Sequence, residues 1–283
     1  MSEPTRPTTQ VGGAQAPGPP LVRQQRVLLA ILLGLATVAW AVIIWQASHA
    51  GGMAMGDPEG GMAMGERPAL DLTAGMGAGL FLAMWVVMMA AMMFPTAAPM
   101  VLMFARVHAG KRRRGQSFVP TWVFTGAYLA LWTAFGTVAY LLAAAASAQL
   151  RESAWLAGNA ARIGAVAIVL AGVYQLTPLK RVCLRHCRSP LAFVMQHWRE
   201  GRAGSFLMGL RHGLYCLGCC WLLFVLLFPI GVMNLAAMLV ITALIFAEKV
   251  LPAGERTARI AAAALIGYGA LVLAVPAALP LPT

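Results

Sequence analysis

The sequence predicts an all-α fold, a polytopic transmembrane helix bundle of about seven helices. Charged residues make up 11% of the 283 residues and apolar residues 60%. Several separate runs of about 20 apolar residues occur, each long enough to cross the ~30 Å hydrocarbon core of a bilayer. The net charge of +12 comes from basic residues in short segments beside these runs, as expected for cytoplasmic loops. Membrane lipid is therefore an expected partner, and nucleic acid is not.

The chain begins with a polar segment followed by a first apolar run. Residues 1–22 are rich in proline, glycine, threonine and glutamine, a composition that predicts a disordered tail. Residues 27–46 follow Arg23 and Arg26 and predict a first transmembrane helix. Its ~20 apolar residues exceed the 7–15 of a signal peptide, so we expect a retained helix that can act as a signal-anchor.

A methionine- and glycine-rich loop is predicted over residues 47–74. It contains the hexapeptide Gly-Gly-Met-Ala-Met-Gly twice, with His49 nearby. Glycine makes a packed core improbable here, and thioethers are soft ligands that select copper(I). The candidate ligands are Met53, Met55, Met62 and Met64. The alternative is a low-complexity linker in which methionine is incidental.

Residues 75–279 are predicted to form a metal-binding membrane domain. It begins with the second predicted span of the chain, which is rich in methionine. Met84, Met88 and Met92 follow one another at intervals of one helical turn, so they form a stripe on one face. Such a stripe serves either packing or ligation. Pro95 removes a backbone donor, which predicts that the helix ends or kinks near Phe94.

The remaining spans and the loops between them predict an orientation. The spans cover residues 118–143, 163–175, 204–228, 235–247 and 260–279. Basic residues concentrate at the N-terminus and in segments 106–114, 180–202 and 249–259, while segment 47–75 is acidic. This alternation places the N-terminus in the cytoplasm, the methionine loop outside it and the C-terminus also outside.

The span at residues 204–228 contains the sharpest candidate site. His212, Cys216, Cys219 and Cys220 share one helical face about 100° wide, and Arg211 lies on the opposite side. An imidazole and three thiols on one face indicate a metal or thiol site. The alternative is that the cysteines pack as small apolar residues.

A second group of candidate ligands lies in the predicted cytoplasmic loop. Cys183 and Cys187 are four residues apart and His186 is adjacent, so one helical turn would bring two thiols and an imidazole together. Neighbouring arginines favour the ligating thiolate. Zinc is possible here, although a structural zinc site normally has four ligands, the fourth of which could be His197.

Glu248 and Lys249 end the sixth predicted span. A charged pair at a helix end can be an anchor whose side chains reach the membrane surface. The alternative is that Glu248 faces the bundle and binds or relays a cation or proton.

Five segments of the sequence together form a recognisable pattern: residues 85–95 (WVVMMAAMMFP), 174–190 (YQLTPLKRVCLRHCRSP), 213–221 (GLYCLGCCW), 231–234 (GVMN) and 248–249 (EK). This pattern resembles that of a bacterial family of uncharacterised proteins described as predicted metal-binding integral membrane proteins. It extends in order over residues 84–249. It implies a helical metal-binding protein of the bacterial cytoplasmic membrane, without an established reaction or substrate.

These observations predict a membrane protein that binds and transfers a soft metal, with copper(I) favoured by the sulfur ligands. Thioethers, which bind the ion more weakly, are predicted on the outer side and thiols on the inner side. This arrangement favours inward transfer of the metal, with a metallochaperone as a possible partner. No nucleotide or haem signature indicates an enzyme. One alternative is a membrane thiol oxidoreductase, in which Cys216, Cys219 and Cys220 exchange disulfides with a redox partner. Another is a non-catalytic membrane assembly factor.

Overall fold

A computed structural model describes residues 20–52, 71–114 and 119–278. The described residues form helices and no β-strand, which confirms the all-α prediction. The helices are α1 Pro20–Gly52, α2 Ala78–Arg113, α3 Thr121–Glu152, α4 Ala154–Gly158, α5 Ala160–Gln175, α6 Pro178–Arg188, α7 Pro190–His197, α8 Gly201–Val225, α9 Leu227–Ile230, α10 Leu235–Val250 and α11 Gly254–Ala274, followed by a 3₁₀ turn at Pro276–Ala278. The loop ligands Met53, Met55, Met62 and Met64 lie outside the described residues.

Within the residues that the structure describes, five helices are long and apolar enough to cross a membrane. They are Arg23–His49, Ala78–Arg112, Thr121–Glu152, Gly201–Ile230 and Gly254–Ala274. Helices α5 and α6 meet at 63° and together would make a sixth span. Helix α10, the remaining predicted span, has 16 residues and is about 24 Å long, shorter than a hydrocarbon core. The count of seven spans and the side of each terminus therefore stay predictions.

Several predicted boundaries differ from the structure. Segment 180–202, predicted as a loop, holds most of α6 and all of α7. Helix α2 does not end near Phe94 but continues through Pro95 to Arg113, because neighbouring groups can compensate the lost backbone hydrogen bond of a proline; the alternative, a kink near Phe94, stays a prediction. The basic segment 106–113 is consequently helical rather than a loop. Helix α1 begins at Pro20, so the last residues of the predicted tail are helical as well.

Side-chain caps fix the starts of the two helices that contain buried charges. The Thr177 hydroxyl accepts a hydrogen bond from the Lys180 amide at 3.3 Å, and Pro178 occupies the first turn of α6. The Asn234 side chain accepts from the Ala237 amide at 3.0 Å at the start of α10. Both are favoured capping residues, so the local sequence sets where α6 and α10 begin.

Helix α8 packs closely against α3. A Cβ atom added to Gly209 would lie 2.3 Å from the carbonyl oxygen of Phe124, and one on Gly213 would lie 2.8 Å from Leu131 Cδ2. Small residues at these contacts allow two helix backbones to approach. The adjacent face of α8 bears the cysteines, and it meets α6 and α10 in the same apolar core.

Candidate functional site

Three cysteines of α8 are buried side by side, as the helical spacing predicts. Cys216, Cys219 and Cys220 are each about 1% exposed. The thiols of Cys219 and Cys220 donate to the backbone carbonyl of Cys216, at 3.0 and 2.8 Å. Arg211 is exposed on the far side of the helix.

Helix α6 adds two more thiols to this group. The Cys187 thiol interacts with those of Cys216 and Cys219. The Cys183 sulfur lies against Gly218 of α8, where an added Cβ would be 2.7 Å from it. All five cysteines of the chain are free. The two sites that the sequence suggested separately, in a span and in a cytoplasmic loop, are therefore one cysteine cluster: Cys183, Cys187, Cys216, Cys219 and Cys220.

Cys216 is the centre of the cysteine cluster because two polar groups from other helices reach its sulfur. The ammonium of Lys249 on α10 lies 3.0 Å from Cys216 Sγ, and the hydroxyl of Tyr128 on α3 lies 3.1 Å from it. All three side chains are buried. The thiolate is the form that binds metals, and a thiolate here would neutralise the buried ammonium.

A buried ion pair lies next to the cysteine cluster. Lys180 Nζ donates to Glu248 Oε2 at 2.7 Å, with the side chains 1% and 2% exposed. Gln175 Nε2 donates to Glu248 Oε1 at 3.1 Å, so both carboxylate oxygens already have partners. The surface-anchor interpretation of Glu248 and Lys249 is wrong, because both side chains face the interior.

His212 is buried one turn before Cys216. Its ring stacks against Phe124 and Tyr128, with centroids 5.8 and 5.6 Å away. Neither ring nitrogen has a hydrogen-bond partner among the described residues. An unpartnered buried polar group is unusual and costs free energy, so a free imidazole nitrogen here is a candidate ligand.

His186 lies at the surface side of α6. Its Nδ1 is 2.9 Å from the carbonyl oxygen of Val182. Because a carbonyl only accepts hydrogen bonds, Nδ1 is the donor, and in the neutral ring the lone pair is then on Nε2. The ring stacks on Tyr215 of α8, with centroids 4.1 Å apart, which ties α6 to the cysteine helix.

The methionine stripe of α2 faces the core. Met84, Met88 and Met92 are buried in the same apolar cluster as the cysteines of α8. Their side chains are shielded from solvent. Met84 and Met88 also line a small cavity near the start of α2.

The sulfurs are close together without forming a finished metal site. In the described parts of the chain, no three His, Cys, Asp or Glu side chains are already arranged to hold an ion. The thiols of Cys219 and Cys220 point at a carbonyl, so they must turn from it to converge on a metal.

Sequence reasoning missed several residues of the site. Tyr128 and Lys180 were not among the candidates, and Lys249 was considered only as part of a surface pair. One signal was available, because a lysine or tyrosine within or beside an apolar span usually has a buried partner. That signal does not identify the partner, since each contact joins helices far apart in the sequence.

The chain matches the model of a known protein family. The model of a family described as a copper chaperone, PpoB2, matches residues 82–272. No curated protein and no solved structure matches the chain. The matched segment contains nearly all of α2 to α11 and every cysteine.

Proposed function

Because the chain belongs to the copper chaperone family, we propose that it is an integral protein of a bacterial cytoplasmic membrane that binds copper(I) at the cysteine cluster and transfers it. Copper handling is the property of the family, whereas the membrane, the oxidation state and the transfer are our inference. Five helices suited to spanning a bilayer support the location.

The observation that supports this proposal most strongly is the environment of Cys216. Its sulfur lies among other thiols and receives the Lys249 ammonium at 3.0 Å. A buried thiolate needs a compensating charge, and Lys249 supplies it. When copper(I) binds, the positive ion takes over the role of neutralising the thiolate, so the ammonium can be released from Cys216.

The donor set favours copper(I) as the ion. The buried groups are thiols, with the thioethers of the α2 stripe in the same core. Soft sulfur ligands select copper(I), whereas carboxylate and water ligands suit harder cations. Among the described residues, Glu248 is the buried acidic side chain, and its oxygens are occupied by Lys180 and Gln175.

The sulfur ligands suggest a route for the ion. The loop methionines would collect copper outside, and Met84, Met88 and Met92 would pass it along α2. The cysteine cluster would hold it, and Cys183, His186 and Cys187 would present it at the cytoplasmic end. A soluble metallochaperone would be the receiving partner.

Vesicle experiments test this function directly. The purified protein is reconstituted in phospholipid vesicles that contain a chromophoric copper(I) chelator, and buffered copper(I) is added outside. We expect the wild type to colour the internal chelator faster than a variant with Cys216→Ser, Cys219→Ser and Cys220→Ser. The Arg211→Ala variant is the matched control, because Arg211 is exposed on the opposite face. Transfer no faster than in protein-free vesicles would contradict the proposal.

The thiol oxidoreductase hypothesis uses the same residues differently. It rests on the two-residue spacing between Cys216 and Cys219, which is typical of redox-active pairs. In that case the two sulfurs would cycle between thiols and a disulfide, and bound copper would not be required. The oxidation state of these cysteines in the purified protein therefore separates the two functions.

A further inference from the structure

A small cavity at the start of α2 is lined mainly by methionine. Its volume is about 10 Å³, roughly the space that one water-sized body needs. The lining residues are Met76, Met84, Met88, Met233, Met238, Phe81, Trp85 and Val232. Methionine makes up 17 of the 283 residues of the chain but five of these eight. General apolar packing does not account for this enrichment in methionine.

The chemistry of the lining suits a soft monovalent ion. The indole nitrogen of Trp85 is the one polar side-chain atom in the lining, and it already donates to the carbonyl of Trp132 at 2.9 Å. Thioether sulfurs are then the remaining side-chain donors. Calcium and magnesium require oxygen ligands, whereas thioethers bind copper(I).

Packing alone explains the cavity poorly. Methionine is flexible and normally fills irregular gaps in a core, yet here five methionines surround a gap. Met84, Met88 and Met238 are buried, while Met76 and Met233 are partly exposed. The lining thus includes both buried and partly exposed thioethers.

The loop before α2 holds Met76 in place. The Asp71 carboxylate accepts hydrogen bonds from the Thr73 amide and hydroxyl, at 2.8 and 2.7 Å, and from the Gly75 amide at 3.2 Å. Burial raises the pKa of the Asp71 carboxyl, but the bonds from Thr73 and Gly75 outweigh it and hold the pKa below its usual value. Ala74, at φ 55°, and Gly75, at φ 71°, are both left-handed, a conformation that is unfavourable for an alanine because its Cβ crowds the following carbonyl oxygen. Such strain is often found at functional sites.

The cavity and the cysteine cluster lie in the same apolar core. Phe81 of α2 is 6.4 Å from Phe228 of α9, and Trp85, one turn later, is 6.1 Å from Phe224 of α8. At these two contacts α2 therefore runs opposite in direction to the chain of α8 and α9. Met92 lies about 12 Å along α2 from Met84, and both belong to the cluster that contains Cys216.

We propose that Met76, Met84, Met88, Met233 and Met238 form a second copper(I) site, an outer thioether site at which the ion enters the protein. The assignment goes beyond the cysteine cluster and rests on the proposed function only for the route of the ion. Thioethers bind copper(I) less tightly than thiolates, so the ion can move from this outer thioether site to the cysteine cluster.

Methyl NMR spectroscopy tests the outer thioether site without using transport. The full chain, with Met53, Met55, Met62 and Met64 changed to leucine, is labelled with [¹³C-methyl]methionine and titrated with silver(I), a diamagnetic soft ion. We expect the methyl signals of the five cavity methionines to shift. Signals of Met100 and Met208, each 1% exposed in a different apolar cluster, should stay in place. Unchanged cavity signals, or equal shifts at Met100 and Met208, would overturn the proposal.

Matched variants provide a second readout. Met76→Leu, Met233→Leu and Met238→Leu together conserve side-chain volume and remove three sulfurs, so silver(I) affinity of the outer thioether site should fall at least tenfold. The pair Met100→Leu and Met208→Leu should leave it unchanged, and an equal loss there would contradict the site. Protection of the cysteines from alkylation reports the cysteine cluster separately. If silver(I) shifts the methyl signals but does not protect the cysteines from alkylation, the proposed function alone is refuted. If silver(I) protects the cysteines but the methyl signals stay in place, the outer thioether site alone is refuted.

Discussion

The Cys216→Ala variant is expected to bind copper(I) more than about 100-fold more weakly than the wild type. Loss of an outer-shell group around a metal typically costs 10–100-fold in affinity, and Cys216 is proposed as a direct ligand. Its sulfur is also the atom that contacts Lys249 and Tyr128. A neighbouring cysteine therefore does not take over its position. Competition with a chromophoric copper(I) chelator measures the change.

Controls separate ligation from packing in this experiment. Cys216→Ala leaves the buried Lys249 ammonium without its sulfur partner, so its thermal unfolding midpoint should also fall. Cys219→Ala removes a thiol that donates to a backbone carbonyl of the same helix and leaves only a small gap, so its midpoint should change little while its copper(I) affinity still falls. Cys220→Ala and His212→Ala, on the flanks of the same face, should give smaller losses of affinity. Arg211→Ala should give none. Equal copper(I) affinity of Cys216→Ala and wild type would show that Cys216 is not a ligand.

The Glu248→Leu variant is expected to lose about 3–5 kcal/mol of stability. Glu248 and Lys180 form an ion pair whose side chains are 2% and 1% exposed, and removing one partner leaves an uncompensated buried charge. Denaturant unfolding in detergent, followed by circular dichroism, measures the loss. The double variant Glu248→Leu with Lys180→Met should recover most of it, because a buried pair can often be replaced by apolar residues of similar volume.

The matched control is an exposed ion pair between α6 and α11. Arg185 and Glu255 lie 3.6 Å apart with side chains 71% and 50% exposed, and surface pairs contribute about 1 kcal/mol or less. Glu255→Leu should therefore change stability by no more than that. If Glu248→Leu is no more destabilising than Glu255→Leu, the carboxylate of Glu248 does not compensate Lys180.

Local periodicity is the part of the structure that the sequence predicts well. The shared face of His212, Cys216, Cys219 and Cys220 follows from 3.6 residues per turn, and the structure buries all four. The helical nature of the chain follows from its long apolar runs. The metal-ligand roles of these residues remain proposals, since helical geometry shows proximity and not ligation.

Contacts between helices could not be read from local patterns. Cys187 joins the cysteine cluster because α5 and α6 meet at 63°, an angle that no residue spacing encodes. Lys249 and Cys216 are 33 positions apart, and Tyr128 and Cys216 are 88 apart. The cavity methionines likewise come from the loop before α2, from α2 itself, from the turn after α9 and from α10. Their common position emerges only when the helices pack.

The central claim, copper(I) binding at the cysteine cluster, is tested most directly by X-ray absorption at the copper edge of protein loaded with one equivalent of copper(I). The predicted result is copper(I) with a first shell of sulfur, and loss of that shell in the variant with Cys216→Ser, Cys219→Ser and Cys220→Ser. The contradicting result is a wild type that takes up no copper, or whose copper has only nitrogen and oxygen neighbours. A Cys216–Cys219 disulfide found by mass spectrometry in such metal-free protein would favour the thiol oxidoreductase instead.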